Sequence, residues 1–239
     1  TDSKMNLLAR FSQCFADGRN PTQTEHSVEQ MVRQRVYALA LGYEDLNDHE
    51  QLRQDPLLGL MAGKPEPGAE VLAGKSTLNR MELGNGMPNR YKKINFWRDS
   101  VDDLLVEVFL EAHASAPEEI VLDIDTTDMA LHGKQEGRFY HGHYHHYCYL
   151  PLYIFCGDHV LCARLRPSSI GPAVGSKKEV ARIVERIRLC WPRVRIILRG
   201  DSGFCVDELM TWCEQNHVEY VLGLARNKRL EALVADALA

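Results

Sequence analysis

Residues 120–128, Ile-Val-Leu-Asp-Ile-Asp-Thr-Thr-Asp, are the strongest indication of the fold that we expect for this chain. Its aliphatic and β-branched residues predict a buried strand. Asp123 and Asp125 interrupt the apolar run, and they are expected on one face because side chains alternate along a strand. A carboxylate at the end of a buried strand is costly to ionise unless it binds a cation or accepts several hydrogen bonds. The stretch alone leaves open whether Asp125 binds a cation or only satisfies the backbone of a turn.

A second apolar run also ends in an aspartate, in Val-Arg-Ile-Ile-Leu-Arg-Gly-Asp-Ser-Gly-Phe at 194–204. Gly200 and Gly203, on either side of Asp201, free the backbone to turn and let a ligand approach closely. The chain between the two runs is long enough for a right-handed crossover, which leaves the strands parallel. Parallel neighbours would bring Asp125 and Asp201 together at the carboxyl edge of the sheet. Such paired oxygen ligands suit Mg²⁺ or Mn²⁺.

The composition is that of a globular protein. The 239 residues are 45% hydrophobic and 26% charged, which is enough for a sizeable core. No apolar run approaches the length of a membrane span and no secretory signal opens the chain, so no membrane partner is expected. The seven cysteines are scattered and odd in number. They predict reduced thiols in a cytoplasmic protein rather than a disulfide framework.

The first part of the chain has helical periodicity. Ser27 and Gln30 form a capping box before an apolar repeat that ends at Gly42. Loops are expected at residues 64–68 and 84–88, where glycine and proline cluster.

The second part predicts an α/β fold with a mixed sheet flanked by helices. We place the boundary near Pro117, which gives an N-terminal helical region at 1–117, with a DNA-binding or accessory role, and a catalytic core at 118–239. The predicted strands lie at 120–126, 147–156, 159–166, 194–200 and 218–224, and the predicted helices at 176–190, 206–216 and 229–239. The first three strands are expected to form an antiparallel meander.

Charge is distributed unevenly, although the net charge is −5. Residues 160–199 contain ten basic side chains against two acidic ones, Glu179 and Glu185. A local basic field beside paired aspartates fits a polyanionic substrate, and the alternative is a solvated helix face. The residues predicted to contact DNA are Lys177, Lys178, Arg182 and Arg199.

Two further motifs have alternative interpretations. Gly-Lys-Ser-Thr at 74–77 lacks the preceding glycine of a phosphate-binding loop, because Ala69 stands in its place, and nucleotide binding is not predicted. The run His-Gly-His-Tyr-His-His-Tyr-Cys at 141–148 could hold zinc, but no second Cys/His pair with ligand spacing is present. Stacking or hydrogen bonding beside a nucleic acid is the alternative for this run.

Five motifs in order resemble the group-one DDE transposase domain of bacterial insertion sequences, an RNase H-like family. They are Ala-Leu-Gly-Tyr-Glu-Asp-Leu-Asn-Asp (40–48), Leu-Ala-Gly-Lys-Ser-Thr-Leu-Asn-Arg (72–80), Leu-Asp-Ile-Asp-Thr-Thr-Asp (122–128), Gly-Lys-Gln-Glu-Gly (133–137) and Leu-Arg-Gly-Asp-Ser-Gly-Phe (198–204). The resemblance covers nearly the whole chain. Its specificity comes from the combination, since each motif alone is common.

The resemblance implies that Asp125 and Asp201 are the first and second catalytic aspartates, with a supporting role at most for Asp123. It also implies two metal ions, Mg²⁺ or Mn²⁺, which activate the attacking water or DNA 3′-hydroxyl and stabilise the leaving oxygen. The implied partners are double-stranded DNA, as transposon ends and as target, and a second copy in a homodimer. The implied location is the bacterial cytoplasm, on the nucleoid when DNA is bound.

The chain also departs from the family pattern. The resemblance implies a third catalytic carboxylate, a Glu on a late helix, at a place beyond Ala239. The family's Arg-Pro-Gly loop reads Arg-Pro-Ser at 166–168. We therefore expect a transposase fragment that lacks the third carboxylate and does not carry out strand transfer. The alternatives are a non-catalytic DNA-binding remnant and a stand-alone RNase H-like nuclease in which Glu231 completes the metal site.

Overall fold

The computed structural model of the protein describes residues 2–64, 66, 71–83, 90–225 and 227–238. The chain divides into two compact units, residues 1–104 and 105–239. This division falls earlier than the boundary expected near Pro117, and the roles assigned to the two parts stay predictions. The predicted loop at 84–88 lies outside the described residues, as does most of the loop at 64–68.

The first unit is built from helices and one short two-stranded ribbon. Its elements are α1 (Asp2–Met5), α2 (Leu7–Gln13), β1 (Phe15–Asp17), α3 (Val28–Ala40), α4 (His49–Leu52), α5 (Pro56–Met61), α6 (Lys75–Glu82) and β2 (Ile94–Phe96), and α7 (Arg98–Glu111) spans the division. β1 and β2 pair antiparallel. The predicted helical character of this part is confirmed.

The capping box predicted at the start of α3 is present. The hydroxyl of Ser27 accepts a hydrogen bond from the backbone N–H of Gln30 at 3.1 Å, and the Gln30 side chain accepts one from the backbone of Ser27 at 3.1 Å. Behind this cap, α3 buries Met31 in a cluster that also contains Leu78 and Ile94. Each fully buried side chain of this size contributes about 1.5–3 kcal/mol relative to exposure, which holds the short helices together.

Gly74 and Lys75 begin α6 instead of forming a phosphate loop. The backbone N–H of Lys75 donates to the carboxylate of Glu50 at 3.2 Å, and the Lys75 ammonium donates to the side chain of Asn47 at 3.1 Å. A carboxylate of the chain itself therefore caps this helix N-terminus.

The second unit contains two sheets and the helices that pack on the larger one. Its elements are β3 (Glu119–Thr126), β4 (Met129–Ala130), β5 (Phe139–His141), β6 (His146–Tyr149), β7 (Leu152–Cys156), β8 (His159–Arg164), α8 (Ser176–Cys190), β9 (Arg195–Gly200), α9 (Asp207–Gln215), β10 (Glu219–Leu222) and α10 (Lys228–Leu238). The larger sheet has the order β10-β9-β3-β7-β8, and the smaller has the order β4-β6-β5.

The strand directions confirm the predicted mixed sheet. β9 runs parallel to both β3 and β10, whereas β7 runs antiparallel to both β3 and β8. The antiparallel meander of β3, β7 and β8 is therefore present, and the following strands are connected through helices. This is the RNase H-like mixed α/β arrangement that the sequence predicts.

The single strand predicted at residues 147–156 is wrong. It is two strands, β6 and β7, and they belong to different sheets. Pro151 lies between them and has no N–H to donate to a ladder, while the N–H of Leu150 bonds to the carbonyl of Arg166 at 2.9 Å. The break lets β6 leave the larger sheet and pair with β4 and β5.

β3 places its apolar and acidic side chains on opposite faces, as predicted. Ile120, Leu122 and Ile124 are at most 5% exposed, and they pack in the core of the second unit. The core side of α8 contributes Val180, Ile183, Val184 and Ile187. Asp123 and Asp125 alternate with the buried residues and are only partly buried or exposed.

In the part of the chain that the structure describes, no helix combines the length and the apolar composition needed to cross a bilayer. The seven cysteines are free thiols, and four of them are buried. They contribute to packing rather than to covalent cross-links.

Candidate active site

Asp125 and Asp201 occupy neighbouring positions at the carboxyl edge of the larger sheet. The parallel register of β3 and β9 pairs Asp123 with Arg199 and Ile124 with Gly200. The ladder ends at this last pair, and Asp125 and Asp201 come directly after its two members. The carboxyl edge of parallel strands is where open α/β sheets build their sites.

The glycines beside Asp201 have a packing role. A Cβ on Gly200 would lie 2.8 Å from the side chain of Ile124, and one on Gly203 would lie 2.8 Å from the ring of Pro172. The space next to these glycines, where close approach of a ligand is predicted, is therefore occupied by side chains of the chain itself. Any larger residue at Gly200 would push β9 away from β3.

Each of the two carboxylates uses one oxygen to bind the backbone. Oδ1 of Asp125 accepts from the N–H of Thr126 at 2.7 Å, and Oδ1 of Asp201 accepts from the N–H of Gly203 at 2.8 Å. Both side chains are exposed, and within the described ranges their Oδ2 atoms have no hydrogen-bond partner. The turn interpretation and the cation interpretation are thus compatible, because one oxygen of each aspartate fixes the side chain and the other is available to a ligand.

Tyr144 adds a hydroxyl that the sequence pattern did not assign to this place. Burial, and then the negative charges of Asp128, Asp125 and Asp201, raise the pKa of the Tyr144 hydroxyl. The hydroxyl therefore lies in the field of all three carboxylates and keeps its proton at neutral pH, so it can donate a hydrogen bond. Its signal in the sequence was weak, because nothing in the run at 141–148 distinguishes Tyr144 from its aromatic neighbours.

Asp128 is the third carboxylate near this edge. Its Oδ2 atom lies 2.7 Å from Nε2 of His146 on β6, and the rings of His146 and Tyr144 stack with centroids 6.1 Å apart. Asp128 closes the motif at 120–128, three positions after Asp125, but the motif does not show that a histidine eighteen residues later binds it.

Asp123, the other aspartate of β3, is bound elsewhere. The Arg199 guanidinium contacts it through two hydrogen bonds, at 2.5 and 2.8 Å. This bonding raises the pKa of Arg199, because the charged guanidinium is stabilised by the adjacent carboxylate.

Most of the basic residues between 160 and 199 are also bound within the second unit. The ion pairs join Arg164 and Arg182 to Glu179, Lys177 to Glu208, Arg186 to Glu107, Arg195 to Glu119 and Glu219, and Arg199 to Asp123. Arg166 and Arg188 donate to backbone carbonyls. Within the described ranges, Lys178 and Arg193 are the two that have no such partner. The structure therefore does not gather Lys177, Lys178, Arg182 and Arg199 into one free basic surface, and their contact with DNA stays a prediction.

No three His, Cys, Asp or Glu side chains of the described residues come together as metal ligands, either at the histidine run or at the sheet edge. Asp125 and Asp201 could supply two oxygen ligands to a hard cation. Glu231 is exposed in the first turn of α10. A complete ligand set would need further oxygens from water, from DNA or from another carboxylate.

Comparison with known proteins identifies the family. The model of the family described as transposase DDE domain group 1 matches residues 1–239. No curated protein matches the chain. Among solved structures, the catalytic domain of Mos1 mariner transposase is 12% identical, with 58% of this chain and 70% of that chain covered and a TM-score of 0.34.

Two larger assemblies are also similar. The piggyBac transposase synaptic complex with hairpin DNA is 11% identical, covers 94% of this chain and 49% of that chain, and has a TM-score of 0.44. The chain thus spans about half the length of that transposase. The Mos1 mariner paired-end complex with Mn is 12% identical, with 94% and 68% covered and a TM-score of 0.33. Similarities this low do not show a family, whereas the family match over residues 1–239 does: the chain belongs to the transposase DDE domain group 1 family.

Proposed function

We propose that this chain provides two catalytic metal ligands, Asp125 and Asp201, of the DNA-cleaving and strand-joining core of an insertion-sequence transposase. The observation that carries the proposal is the parallel register of β3 and β9, which brings the two aspartates to adjacent positions, each with one carboxylate oxygen available. Family membership supports the proposed class of reaction, and the register supports the choice of residues.

The chemistry of the donors fits Mg²⁺ or Mn²⁺. Exposed, ionised carboxylates are the ligands that these hard cations prefer, and the nearby Asp128 adds negative charge. When bound, two such ions would activate the attacking oxygen and stabilise the leaving oxygen of an in-line displacement at phosphorus. The backbone bonds from Thr126 and Gly203 orient the ligand oxygens before any ion arrives, so little side-chain freedom is lost on binding.

Tyr144 and the Asp128–His146 pair complete the site on the side of the smaller sheet. The Tyr144 hydroxyl keeps its proton, so its role is to donate a hydrogen bond to a phosphate oxygen or to the attacking water. His146 holds Asp128 through the 2.7 Å contact and stacks on Tyr144. We assign His146 a positioning role, since it acts through these two neighbours.

The substrate in this proposal is double-stranded DNA, first at the transposon ends and then at the target. A homodimer would hold both ends, as the family resemblance of the sequence implies. Among the basic residues at 160–199, Lys178 and Arg193 are the candidates for contact with DNA phosphates, because no acidic side chain of the described residues pairs with them.

A nicking assay tests the proposal against its alternatives. The substrate is DNA that carries the terminal sequences of the element encoding this chain, incubated with Mg²⁺ or Mn²⁺. Metal-dependent nicking that disappears in Asp125→Asn and in Asp201→Asn supports a catalytic site at these residues. DNA binding without nicking would favour the non-catalytic remnant, and nicking of arbitrary duplexes that is abolished by Glu231→Gln would favour the stand-alone nuclease.

A further inference from the structure

The smaller sheet, β4-β6-β5, starts directly after Asp128 and has two chemically different faces. Its register pairs Phe139 with Cys148, Tyr140 with Tyr147 and His141 with His146. Directly paired residues of antiparallel strands project to the same side, and the side alternates along each strand. Tyr140 and Tyr147 therefore share one face, which we call the tyrosine face, and His146 and Cys148 share the other.

The face that carries His146 is tied to the candidate active site. His146 binds Asp128 at 2.7 Å, and Cys148 is fully buried. A second contact fixes the sheet to the loop that follows β8, where the Ser168 hydroxyl donates to the carbonyl of Phe139 at 3.0 Å. These bonds place the smaller sheet beside the aspartates and fix which of its faces points away from them.

The tyrosine face is exposed. Tyr140 is 57% exposed and Tyr147 is 45% exposed, and their rings meet edge to face with centroids 5.6 Å apart. The guanidinium of Arg138 lies 4.5 Å from the centroid of the Tyr147 ring. A tyrosine pair backed by an arginine is unusual on a surface that contacts only water, since surface aromatic residues are normally single.

The charge of this segment suits a nucleic acid. Residues 129–149 contain Lys134 and Arg138 as cations, five histidines and a single acidic residue, Glu136. The negative charge of the site therefore lies mainly on the aspartates, where a bound cation would balance it. The tyrosine face carries little negative charge. A phosphate beside Arg138 would meet a guanidinium and no opposing carboxylate cluster.

We propose that the tyrosine face binds unpaired nucleotides of the DNA at the candidate active site, by stacking of bases on Tyr140 and Tyr147 and contact of a phosphate with Arg138. This inference rests on the proposed function and specifies the form of DNA that the site takes. Bases within a duplex are already stacked on their neighbours, so an exposed ring adds stacking chiefly for a base that has left the helix. The tyrosine face contacts the flat surface of a base and makes no hydrogen bonds to its edges, so it accepts every base.

The test compares two DNA probes of arbitrary sequence. One is a short duplex that ends in an unpaired overhang containing a fluorescent purine analogue, and the other has the same strand fully paired. Binding is measured by anisotropy and stacking by quenching of the analogue, for the wild type, for Tyr140→Ala with Tyr147→Ala, and for Tyr140→Phe with Tyr147→Phe. Tyr43→Ala, at an exposed tyrosine of the first unit that is 41% exposed, is the matched control.

The wild type and the Tyr43→Ala variant are expected to bind the overhang probe more tightly than the paired probe and to quench the analogue. The double alanine variant should lose the quenching and bind the overhang probe about fivefold or more weakly, with unchanged affinity for the paired probe. The double phenylalanine variant, which keeps the rings, should behave as the wild type. DNA binding with quenching that is identical in all variants would overturn this inference alone, whereas a wild type that binds neither probe would overturn the proposed function together with it.

Discussion

The guanidinium of Arg199 binds the carboxylate of Asp123 across the adjacent strands β9 and β3, with hydrogen bonds of 2.5 and 2.8 Å. The two residues are direct partners in the parallel register. The charge of Asp123 is therefore balanced by Arg199 on the sheet surface. Asp125, on the same face, keeps one carboxylate oxygen available at the end of the strand. The relationship assigns different roles to two aspartates that the sequence alone treats almost alike.

We therefore expect Asp123→Asn to leave Mn²⁺ binding nearly unchanged, and Asp125→Asn and Asp201→Asn each to weaken it by at least about tenfold, because each removes a ligand carboxylate. Calorimetric titration of the three variants with Mn²⁺ measures this. Loss of affinity in Asp123→Asn that equals the loss in Asp125→Asn would show that the ligand pair has been assigned to the wrong aspartate.

Removal of the Tyr144 hydroxyl should slow DNA cleavage without affecting the fold. In Tyr144→Phe the ring still stacks on His146, but the donor in the field of the three aspartates is absent. The expected effect is about a fivefold to tenfold lower cleavage rate at saturating DNA, which corresponds to one hydrogen bond. Single-turnover kinetics check it, with Tyr43→Phe, at an exposed tyrosine of the first unit, as the control. An unchanged rate would remove Tyr144 from the site.

The salt dependence of DNA binding should depend on Lys178 and Arg193, which have no ion-pair partner among the residues that the structure describes. Lys178→Ala with Arg193→Ala is expected to flatten the slope of log affinity against log salt, by about one unit for each DNA phosphate that the protein no longer neutralises. Lys177→Ala is the matched control, because its ammonium is 2.5 Å from the carboxylate of Glu208. A larger change of slope in Lys177→Ala than in the double variant would contradict the prediction. It would mean that the ion pair of Lys177 and Glu208 opens on DNA binding.

The sequence predicts the local elements of this protein well and its long-range contacts poorly. Helix α8 lies where periodicity places it, at residues 176–190, because its apolar stripe depends only on local spacing. The ten basic residues of 160–199 suggest a free basic field, yet Arg195 binds Glu119, which lies 76 residues away. No local pattern contains that partner. Likewise, the apolar run across Pro151 does not show that β6 leaves the larger sheet.

The first unit should lose stability in acid because it buries neutral histidine. His49 is fully buried, its Nδ1 atom lies 3.0 Å from the Gln34 amide, and burial followed by the charge of Arg35 lowers its pKa from 6.5. The unfolded chain then binds a proton more readily than the folded chain, so the stability contribution is present above pH 6.5 and is lost as the pH falls below it. The loss approaches about 1.4 kcal/mol per pH unit for this one group.

Thermal unfolding between about pH 7.5 and about pH 5.5 measures this effect. In His49→Asn, whose amide oxygen can still accept from Gln34, the dependence on pH should be smaller, whereas the exposed His132→Asn should behave as the wild type. The same acid destabilisation in His49→Asn as in the wild type would assign the effect to another group, of which buried His26 is the first candidate.

Residues 1–239 are expected to bind DNA and Mn²⁺ but not to join transposon ends to a target. Two carboxylates form an incomplete ligand set, and Glu231, in the first turn of α10, is the candidate for a third. Leu233 is 72% exposed and Val234 is 44% exposed, so these two apolar side chains contribute little of the burial that would hold Glu231 at a fixed place. A helix of this length is marginal in water without such packing.

Glu231→Gln should therefore leave Mn²⁺ affinity and nicking as they are in the unchanged chain. The decisive measurement is the joining of a pre-cut transposon end to plasmid DNA with Mn²⁺, and efficient joining that disappears in Glu231→Gln would establish Glu231 as the third metal ligand.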